Sequence, residues 1–369
     1  MKLNKKTVEI ALAKAYAVTK SATQYGRNLT VRIRAGKMDI RSWSVAPQGI
    51  VMSGMPVEAG EEVEFVADSA RLYPALKKIP TEEFEMKVDE ASIRVSSGRL
   101  RYSIPRPSEK DEDEPPETTE ATFRVMCDDM TKALEKMAPS ADTSDLYGPY
   151  VGIFAKSDGG RVLLTASDRK SIAYSEFKTA TPCADFEAIL PREFIDFLSV
   201  FDPEHFVDVC FSENRVVARQ GQTTIWCGLL AGQYRNLSEK MIRDGVNQRN
   251  GGGTSAKVEV KREDFLEMLS RVEIVADKES MRTTLKLGKG EIGASCSSPS
   301  GECSDTCPVS GSEGEARVDM NILSMRKAVQ PLSAETISME FFTATPVIFV
   351  ESATEGFKAF CAGLNDRKE

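Results

Sequence analysis

The sequence predicts an α+β fold that consists of three copies of one domain, each with two helices packed on antiparallel sheets. Its length of 369 residues suits two or three domains. Two breaks in composition divide the chain, and the apolar patterns between these breaks repeat. Hydrophobic residues make up 41% of the chain and charged residues 28%, which is typical of globular proteins and excludes a wholly disordered or fibrous chain.

The two breaks in composition predict the domain boundaries. Segment 106–120 holds seven acidic and two basic residues and no large apolar residue, so it is predicted to be a solvated linker. Segment 245–257 contains a run of glycines, which favours a flexible connection. We therefore expect domains at residues 1–105, 121–244 and 258–369.

Each domain is predicted to begin with an amphipathic helix. Apolar residues at i, i+3, i+4 and i+7 mark the buried face of such a helix. The pattern of the middle domain recurs in the last domain at an offset of 135 residues, and a looser version lies between residues 8 and 18. The matching positions are Val125, Met130, Leu134 and Met137, then Val260, Phe265, Leu269 and Val272.

A second amphipathic helix is predicted midway through each domain, at offsets of 122 and 131 residues. An apolar strand pattern precedes this helix and two alternating patterns follow it, which suits half-buried antiparallel strands. The helix positions are Leu72, Leu76 and Ile79, then Phe194, Leu198 and Phe201, then Met325, Val329 and Leu332. The strand patterns lie at 63–66, 84–88 and 92–95, at 186–189, 205–211 and 215–219, and at 316–318, 336–341 and 347–350.

Few residues in the sequence point to catalysis or metal binding. His205 is the single histidine, and histidine is the commonest general base and metal ligand near neutral pH. Cys296, Cys303 and Cys307 lack the paired C-x2-C spacing of a zinc site, so free cysteines are favoured. The glycines at 251–253 precede no phosphate-binding Lys-Ser/Thr pair. We expect a protein that is not an enzyme and needs no cofactor or metal.

The predicted location is the cytoplasm. Charged residues interrupt the apolar part of the first twenty residues, so no signal peptide is expected. No apolar run approaches the roughly 20 residues of a membrane span, and we expect no membrane partner. The eight cysteines are then expected to be reduced thiols.

Short motifs within the repeat resemble those of a known family. Met130-x-x-Ala133-Leu134, the segment SDRKSI at 167–172 and the segment SGRLRYSI at 97–104 resemble L-x-x-A-L, T-D-x-H-R-L and S-G-x-x-x-F-x-L. These are motifs of the bacterial sliding clamp, the processivity β subunit of the replicative DNA polymerase. The likeness covers essentially the whole chain. The departures from the family motifs suit a divergent member, such as a phage-encoded one.

The resemblance implies half of a six-domain ring. A homodimer would encircle double-stranded DNA without reading its sequence, tether the replicative polymerase, and dock the clamp loader and other partners. A protein-interaction scaffold that never encircles DNA is the alternative, and an α+β enzyme with an unrecognised site is a weaker third hypothesis. A ring of this kind needs a basic lining, because DNA presents its phosphates outward.

The charge distribution allows such a lining although the net charge is -8. Residues 1–105 carry 17 basic and 12 acidic groups, whereas the rest of the chain is net negative. Basic residues on or beside the predicted helices are candidates for the lining, and ordinary solvated helix faces are the alternative for each of them. The predicted DNA-facing residues are Lys14, Lys20, Arg27, Lys77, Lys78, Lys132, Lys136, Arg192, Arg271, Arg326 and Lys327.

The resemblance also implies two protein-binding surfaces. The first is an apolar pocket between the second and third domains that takes short linear peptides. Its predicted residues are Tyr150, Ser167, Arg169, Lys170, Ser171, Ile172, Asn321, Ser324, Thr345, Pro346, Phe360 and Cys361. The second is the dimer interface, where Tyr102 and Ile104 on the closing strand of the first domain would meet Ile274 and Val275 of the partner. Packing of that strand inside its own domain is the alternative.

Overall fold

A computed structural model describes residues 1–22, 27–42, 48–58, 62–107, 120–212, 214–234, 254, 256–343, 346–352 and 354–364. Within these ranges the chain forms six α-helices and 24 strands. The order of elements repeats three times, each time as strand, helix, three strands, a strand, helix and three strands. The predicted α+β fold with three repeats is therefore confirmed.

The first repeat begins with a short strand that runs directly into a helix. Asn4 caps this helix, because its side chain accepts a hydrogen bond from the Thr7 backbone N–H at 3.3 Å. Asp68 caps the second helix in the same way, accepting from Ala70 at 2.9 Å. The elements are β1 (Lys2–Asn4), α1 (Lys5–Thr19), β2 (Asn28–Arg34), β3 (Lys37–Ser42), β4 (Gly49–Pro56), β5 (Val63–Asp68), α2 (Ser69–Lys77), β6 (Glu83–Val88), β7 (Ser92–Ser97) and β8 (Leu100–Pro105).

The second repeat follows the same order. Two short 3-10 helices, Ala138–Ser140 and Asp145–Val151, are inserted after its first helix. The elements are β9 (Phe123–Met126), α3 (Cys127–Met137), β10 (Ile153–Asp158), β11 (Arg161–Ser167), β12 (Ser171–Lys178), β13 (Glu187–Leu190), α4 (Glu193–Leu198), β14 (Phe206–Phe211), β15 (Arg215–Gln220) and β16 (Thr223–Gly228).

The third repeat has the clearest amphipathic helix. Phe265, Met268, Leu269 and Val272 are all 0% exposed, so the predicted apolar face is the buried face. The elements are β17 (Ala256–Lys261), α5 (Arg262–Glu273), β18 (Arg282–Leu287), β19 (Glu291–Ser298), β20 (Gly301–Glu313), β21 (Ala316–Asn321), α6 (Ile322–Val329), β22 (Thr336–Phe342), β23 (Val347–Ser352) and β24 (Phe357–Ala362).

The chain folds into two compact units rather than three. The first unit comprises Met1–Thr131 and Thr179–Leu230, and the second comprises Lys132–Lys178 and Ala231–Glu369. The second repeat is thus divided, and its two halves belong to different units. The domain boundaries expected from composition differ from the limits of these units, and they remain a prediction.

Antiparallel sheets of the first unit join the first repeat to half of the second. One sheet has the order β1-β6-β7-β8, and the other has the order β5-β2-β3-β4-β16-β15-β14-β9. In the larger sheet β16 pairs with β4, with Ile225 opposite Ile50. Trp226, on β16, is fully buried beside this junction. The sheet therefore crosses the predicted boundary at 106–120.

The second unit shows an equivalent junction. Its strands follow the order β10-β11-β12-β24-β23-β22-β17-β20-β19-β18-β21. β12 of the second repeat pairs with β24 of the third, with Ile172 opposite Phe360. Phe342, Phe349 and Phe360 form an apolar cluster behind this junction. The sheet therefore also crosses the predicted boundary at 245–257.

The predicted linkers lie mostly outside the described residues, at 108–119 and 245–253. β17 begins at Ala256, two residues before the predicted start of the last domain. No helix in the described part of the chain is long and apolar enough to cross a membrane.

Candidate functional site

The turn between β11 and β12 is organised around the Asp168 carboxylate. Asp168 Oδ1 accepts hydrogen bonds from the backbone N–H groups of Lys170 (3.1 Å) and Ser171 (2.8 Å) and from the Ser171 hydroxyl (2.9 Å). Arg169, at the tip of the turn, has a φ of 68°, a left-handed conformation that this hydrogen bonding supports. The sequence SDRKSI therefore forms a tight turn that leaves the Arg169 and Lys170 side chains exposed, with Arg169 Nε donating to Asp142 Oδ2 at 3.3 Å.

An ion pair holds this turn against α6. Lys327 Nζ donates to Asp168 Oδ2 at 2.8 Å, and Asp168 is only 9% exposed. Burial acts to raise the pKa of Asp168, but the hydrogen bond and charge of Lys327, with the Ser171 hydrogen bonds, outweigh it and leave the pKa below its usual range. The carboxylate is therefore charged and holds two elements together.

The pairing of β12 with β24 places several predicted pocket residues together. Ser171 lies opposite Cys361, and the Ala362 N–H donates to the Lys170 carbonyl at 2.8 Å. The Cys361 thiol is fully buried and donates to the Ser324 carbonyl of α6 at 3.5 Å. Burial raises the pKa of Cys361, so it is an uncharged packing residue.

The residue after β24, Gly363, pairs with Met320 at the end of β21, which leads directly into α6. Asn321 caps α6 by accepting from Leu323 and Ser324 N–H groups at 3.0 and 3.2 Å, while its amide donates to the Ser280 carbonyl. Gly363 N–H donates to the Pro346 carbonyl at 2.6 Å. Asn321 and Ser324 are buried, so they fix the start of α6 and do not present their side chains to a partner.

Aromatic side chains line the neighbouring 3-10 segment. The rings of Tyr150 and Tyr234 lie 5.0 Å apart, and Tyr234 stacks on Phe154 at 5.4 Å. Burial raises the pKa of Tyr234, which is therefore a neutral phenol. Leu146, in the same segment, is 88% exposed. Sequence reasoning did not include Tyr234 among the site residues; the signal was an aromatic residue two positions after Gly232.

The predicted pocket residues thus separate into two groups within the second unit. Tyr150, Ile172 and Pro346 are half-buried, and Arg169 and Lys170 are exposed, so these side chains are accessible. The buried group consists of Ser167, Ser171, Asn321, Ser324, Phe360 and Cys361. Thr345 lies outside the described residues. The accessible group combines apolar surface with two cations, which suits a peptide with apolar and acidic side chains.

At least five of the predicted DNA-facing residues have carboxylate partners within the described part of the chain. Lys136 Nζ lies 2.5 Å from Glu355 Oε2, and both side chains are largely shielded, at 21% and 10% exposed. Burial acts to raise the pKa of Glu355, but hydrogen bonds from Lys136, Ala334 and Ser333 lower it below its usual value. Lys136 and Lys327 are therefore matched by buried carboxylates, which weakens the case that they face DNA.

The other three pairs lie nearer the surface. Lys20 pairs with Asp196 at 3.1 Å, Arg271 with Asp305 at 2.6 Å, and Arg326 with Glu273. Exposed ion pairs such as the first two contribute little free energy to folding and leave the cation free to exchange partners, whereas the Arg326–Glu273 pair is partly buried.

The remaining predicted DNA-facing residues show a different picture. Lys77 and Lys78 are exposed at the end of α2, where a cation also complements the helix dipole. Lys14 is half-buried on α1, and Lys132 is exposed on α3. Arg27 and Arg192 are half-buried. The exposed residues Lys77 and Lys78 are therefore the stronger candidates for contact with an anionic partner.

The predicted dimer interface residues lie on one edge strand and just after the end of one helix. β8 is the last strand of its sheet and pairs with β7 only, within the described residues. Tyr102 is half-buried on this edge, whereas Ile104 is 6% exposed and packs inside its own sheet. In the second unit Ile274, at the end of α5, is 81% exposed and Val275 is half-buried. Ile274 is therefore an apolar side chain that has no cover in the single chain.

The strand next to Ile274 has a partly open edge. Residues 301–308 of β20 pair with β19, and residues 309–313 pair with β17. No strand among the described residues pairs with the second side of 301–308. The same described ranges contain no group of three or more His, Cys, Asp or Glu residues that could hold a metal ion.

Known proteins with a similar sequence or structure are bacterial DNA polymerase β subunits. No protein-family model matches the chain. The beta sliding clamp of Staphylococcus epidermidis is 21% identical over 310 residues, which is 79% of this chain and 79% of that protein. The DNA polymerase III beta subunit of Thermotoga maritima superposes with a TM-score of 0.83 at 18% identity, covering 99% of this chain and 98% of that one. The DNA polymerase beta subunit of Streptococcus pyogenes gives 0.85 at 15% identity, with 99% of each chain covered. The resemblance predicted from the motifs is therefore confirmed, and the chain has the fold of the bacterial β sliding clamps.

Proposed function

We propose that the chain is a DNA sliding clamp. Two copies would close into a ring around duplex DNA, tether the replicative polymerase to its template, and dock the clamp loader and other proteins. The protein would carry out no reaction itself and would act in the cytoplasm. Its contribution would be to make each re-encounter of polymerase and template intramolecular, at a high effective concentration.

The observation that carries this proposal is the pattern of sheet junctions between repeats. In the first unit β4 of one repeat pairs with β16 of the next, and in the second unit β12 pairs with β24. Each junction therefore joins the third strand after the first helix to the third strand after the second helix. The strands left over in these two roles are β20 and β8, and both have an open edge among the described residues.

A second copy can satisfy both open edges at once. If β20 of each copy pairs with β8 of the other, a two-fold axis generates two equal joints and leaves no junction edge unpaired. Six repeats then form one closed ring. An open edge that is not covered in this way would be an aggregation hazard, which gives a physical reason for closure.

Side chains at the two edges fit the same joint. Ile274 is 81% exposed and would be buried against the β8 edge, near Tyr102. Arg101 on β8 and Glu302 on β20 are both exposed and of opposite charge. Burial of one exposed isoleucine contributes about 2 kcal/mol, and two joints double this contribution.

DNA contact in this ring would be weak and independent of sequence. The exposed cations at the end of α2 can meet phosphates, but they offer no ordered set of groups for reading base edges. Binding should therefore fall steeply with salt concentration. The accessible group around Tyr150, Ile172 and Pro346 would hold the partner peptides.

The decisive experiment measures mass and topology together. Native mass spectrometry of the wild type should give a dimer of about twice 40.6 kDa. Ile274→Asp should give monomers, because it places a charge in the apolar joint. Leu146→Asp is the matched control: Leu146 is similarly exposed, at 88%, but belongs to the Asp145–Val151 segment and not to β8, β20 or the end of α5, so this variant should stay dimeric.

The ring itself is tested on DNA. Wild type that a clamp loader has placed on circular duplex should remain bound during gel filtration and should be released when the DNA is cut once. A protein that is monomeric at micromolar concentration, or that leaves circular and linear DNA equally fast, would instead be a scaffold that does not encircle DNA.

A further inference from the structure

Two cysteines face each other across the β19–β20 hairpin. Cys296 and Cys303 are directly opposed in the antiparallel register, five pairs of residues from the open end and two from the turn. Ser298 and Gly301 close the hairpin around a two-residue turn, and Gly301 adopts a φ of 135° that favours glycine. Opposed residues of an antiparallel ladder alternate between hydrogen-bonded and non-hydrogen-bonded pairs. Ser298 and Gly301, which close the turn, form a hydrogen-bonded pair, so Cys296 and Cys303, two positions further on, form the next one.

This position brings the two thiols within reach of a covalent bond. Cα atoms of a hydrogen-bonded pair are about 5.5 Å apart, which lies inside the range of about 4.4–6.8 Å that a disulfide spans. The third cysteine of the hairpin, Cys307, lies opposite Ile292. It is four residues from Cys303 along one strand, or about 13 Å, which is too far for a bond. Of these three cysteines, only Cys296 and Cys303 are close enough to be joined within the hairpin.

The two thiols differ in access to solvent. Cys303 is half-buried, whereas Cys296 is 7% exposed and its sulfur lies 4.0 Å from the Val275 carbonyl at the end of α5. Ser298 donates to the same carbonyl at 2.6 Å, which holds the hairpin against the helix. A more accessible thiol beside a shielded one is the arrangement in which the first reacts with a reagent and the second resolves the product.

We propose that Cys296 and Cys303 form a reversible dithiol–disulfide site that is oxidised by low-molecular-weight disulfides. In the first step the Cys303 thiolate attacks one sulfur of the reagent, and the other half of the reagent leaves as a thiolate. In the second step the Cys296 thiolate attacks the Cys303 sulfur of the mixed disulfide, and the second half leaves. The protein loses two protons and two electrons, and one reagent disulfide becomes two thiols.

The oxidised form would lock the register of β19 against β20. The bond joins two strands of one hairpin, and Cys303 lies on the 301–308 edge that the proposed ring would cover. The bond would be easier to reduce than an unstrained one, because side chains of directly opposed residues are about 4.5–5.5 Å apart at Cβ, whereas a relaxed disulfide prefers about 3.8 Å. A strained cross-strand bond of this kind is suited to reversible change.

The experiment uses the full-length protein equilibrated with oxidised and reduced glutathione in varied ratio. Free thiols are alkylated, and the protein is cut with a glutamate-specific protease. Cleavage after Glu302 separates the two cysteines, giving peptides 292–302 and 303–313. Mass spectrometry should find these two peptides joined and two hydrogen atoms lighter than the separate thiols, with full reversal on adding dithiothreitol.

Two variants identify the partner cysteine. Cys303→Ser should abolish the cross-linked peptide, whereas the matched control Cys307→Ser, on the same strand and face, should retain it. Thermal melting of both reduced variants establishes that they are folded. The proposal is overturned if the wild type yields only glutathione adducts, or if the cross-link survives in Cys303→Ser and disappears in Cys307→Ser.

Discussion

Replacement of Lys327 by methionine distinguishes a structural cation from a DNA-binding one. The sequence places Lys327 on a basic helix face, but its Nζ lies 2.8 Å from Asp168 Oδ2 in the structure. Methionine keeps the length of the side chain and removes the charge. Asp168, only 9% exposed, would then keep its hydrogen bonds to Lys170 and Ser171 and lose its counter-ion.

The size of the effect follows from burial. Removing one partner of a fully buried ion pair costs about 3–5 kcal/mol, because the other charge is left uncompensated. The Lys327 side chain is 31% exposed and Asp168 keeps its other donors, so a lower value of about 2–3 kcal/mol is expected. For a unit of this size that corresponds to a fall in Tm of roughly 5–10 °C.

The assay must report on the second unit. Trp226 lies in the first unit, so its fluorescence would miss the change. Circular dichroism during thermal and urea unfolding, together with hydrogen exchange of the Ser171 amide, follows the affected region. Lys289→Met is the control, since Lys289 is exposed in the β18–β19 turn of the same unit and should change the free energy of unfolding by less than about 0.5 kcal/mol.

A double-mutant cycle with Asp168→Asn isolates the pair itself. The two substitutions should be less than additive by about 1–2 kcal/mol, because each already breaks the same contact. A structural role for Lys327 is contradicted if Lys327→Met unfolds like the wild type while its binding to linear duplex DNA weakens. Lys327 would then act on DNA, as the sequence pattern suggests.

Three further predictions concern acid stability, close packing and DNA contact. Because the pKa of Asp168 is lowered in the folded state, its contribution to stability is complete above its ordinary pKa of about 3.9 and is lost as pH falls through the lowered value. Asp168→Asn should therefore flatten the curve of unfolding free energy against pH below about pH 4, measured by urea unfolding at each pH. An unchanged curve would contradict this prediction. Gly363→Ala would place a Cβ 2.5 Å from Pro346 Cβ and 2.8 Å from the Pro346 carbonyl oxygen. It should therefore destabilise the second unit by about 1–3 kcal/mol, measured in a thermal melt. An unchanged free energy of unfolding would mean that this strand end can shift. Lys78→Glu should weaken binding to linear duplex DNA and reduce the slope of log K against log salt concentration by about one unit. The control Lys289→Glu should change this slope less. Equal slopes for the two variants would exclude the end of α2 from the DNA-facing residues.

The helices were predictable because their information is local. An apolar residue at every third or fourth position specifies a buried face wherever it occurs, and Phe265, Leu269 and Val272 are buried as that rule requires. The repeat of helices and strands followed from the same rule applied at fixed offsets. The pairing partners of the strands were harder to predict, since pairing depends on which backbone edges remain open rather than on side-chain alternation. Nothing in the local pattern of β4 indicates that it pairs with β16 of the next repeat.

The candidate site was predictable in outline and less so in the role of each residue. The motif SDRKSI was expected to form a turn, and in the structure this turn lies beside β24 and α6, whereas its role in binding a partner peptide stays a prediction. The partner of Lys327 lies 159 residues away in the chain, so an amphipathic pattern could not distinguish a paired cation from a free one. The same applies to Lys136 and Glu355. Tyr234 was missed because a single aromatic residue outside a regular element carries no periodic signal.

The division of the second repeat between the two compact units affects how the chain can be cut. A fragment of residues 121–244 would expose the edges of β16 and β12 that β4 and β24 cover in the intact chain. Such a fragment is expected to aggregate, even though it contains one full set of helices and strands. Insertions or tags are expected to be better tolerated in the acidic segment 106–120, because its composition predicts a solvated linker. A library of truncations should therefore recover soluble protein only from fragments that keep a covered strand and its cover together.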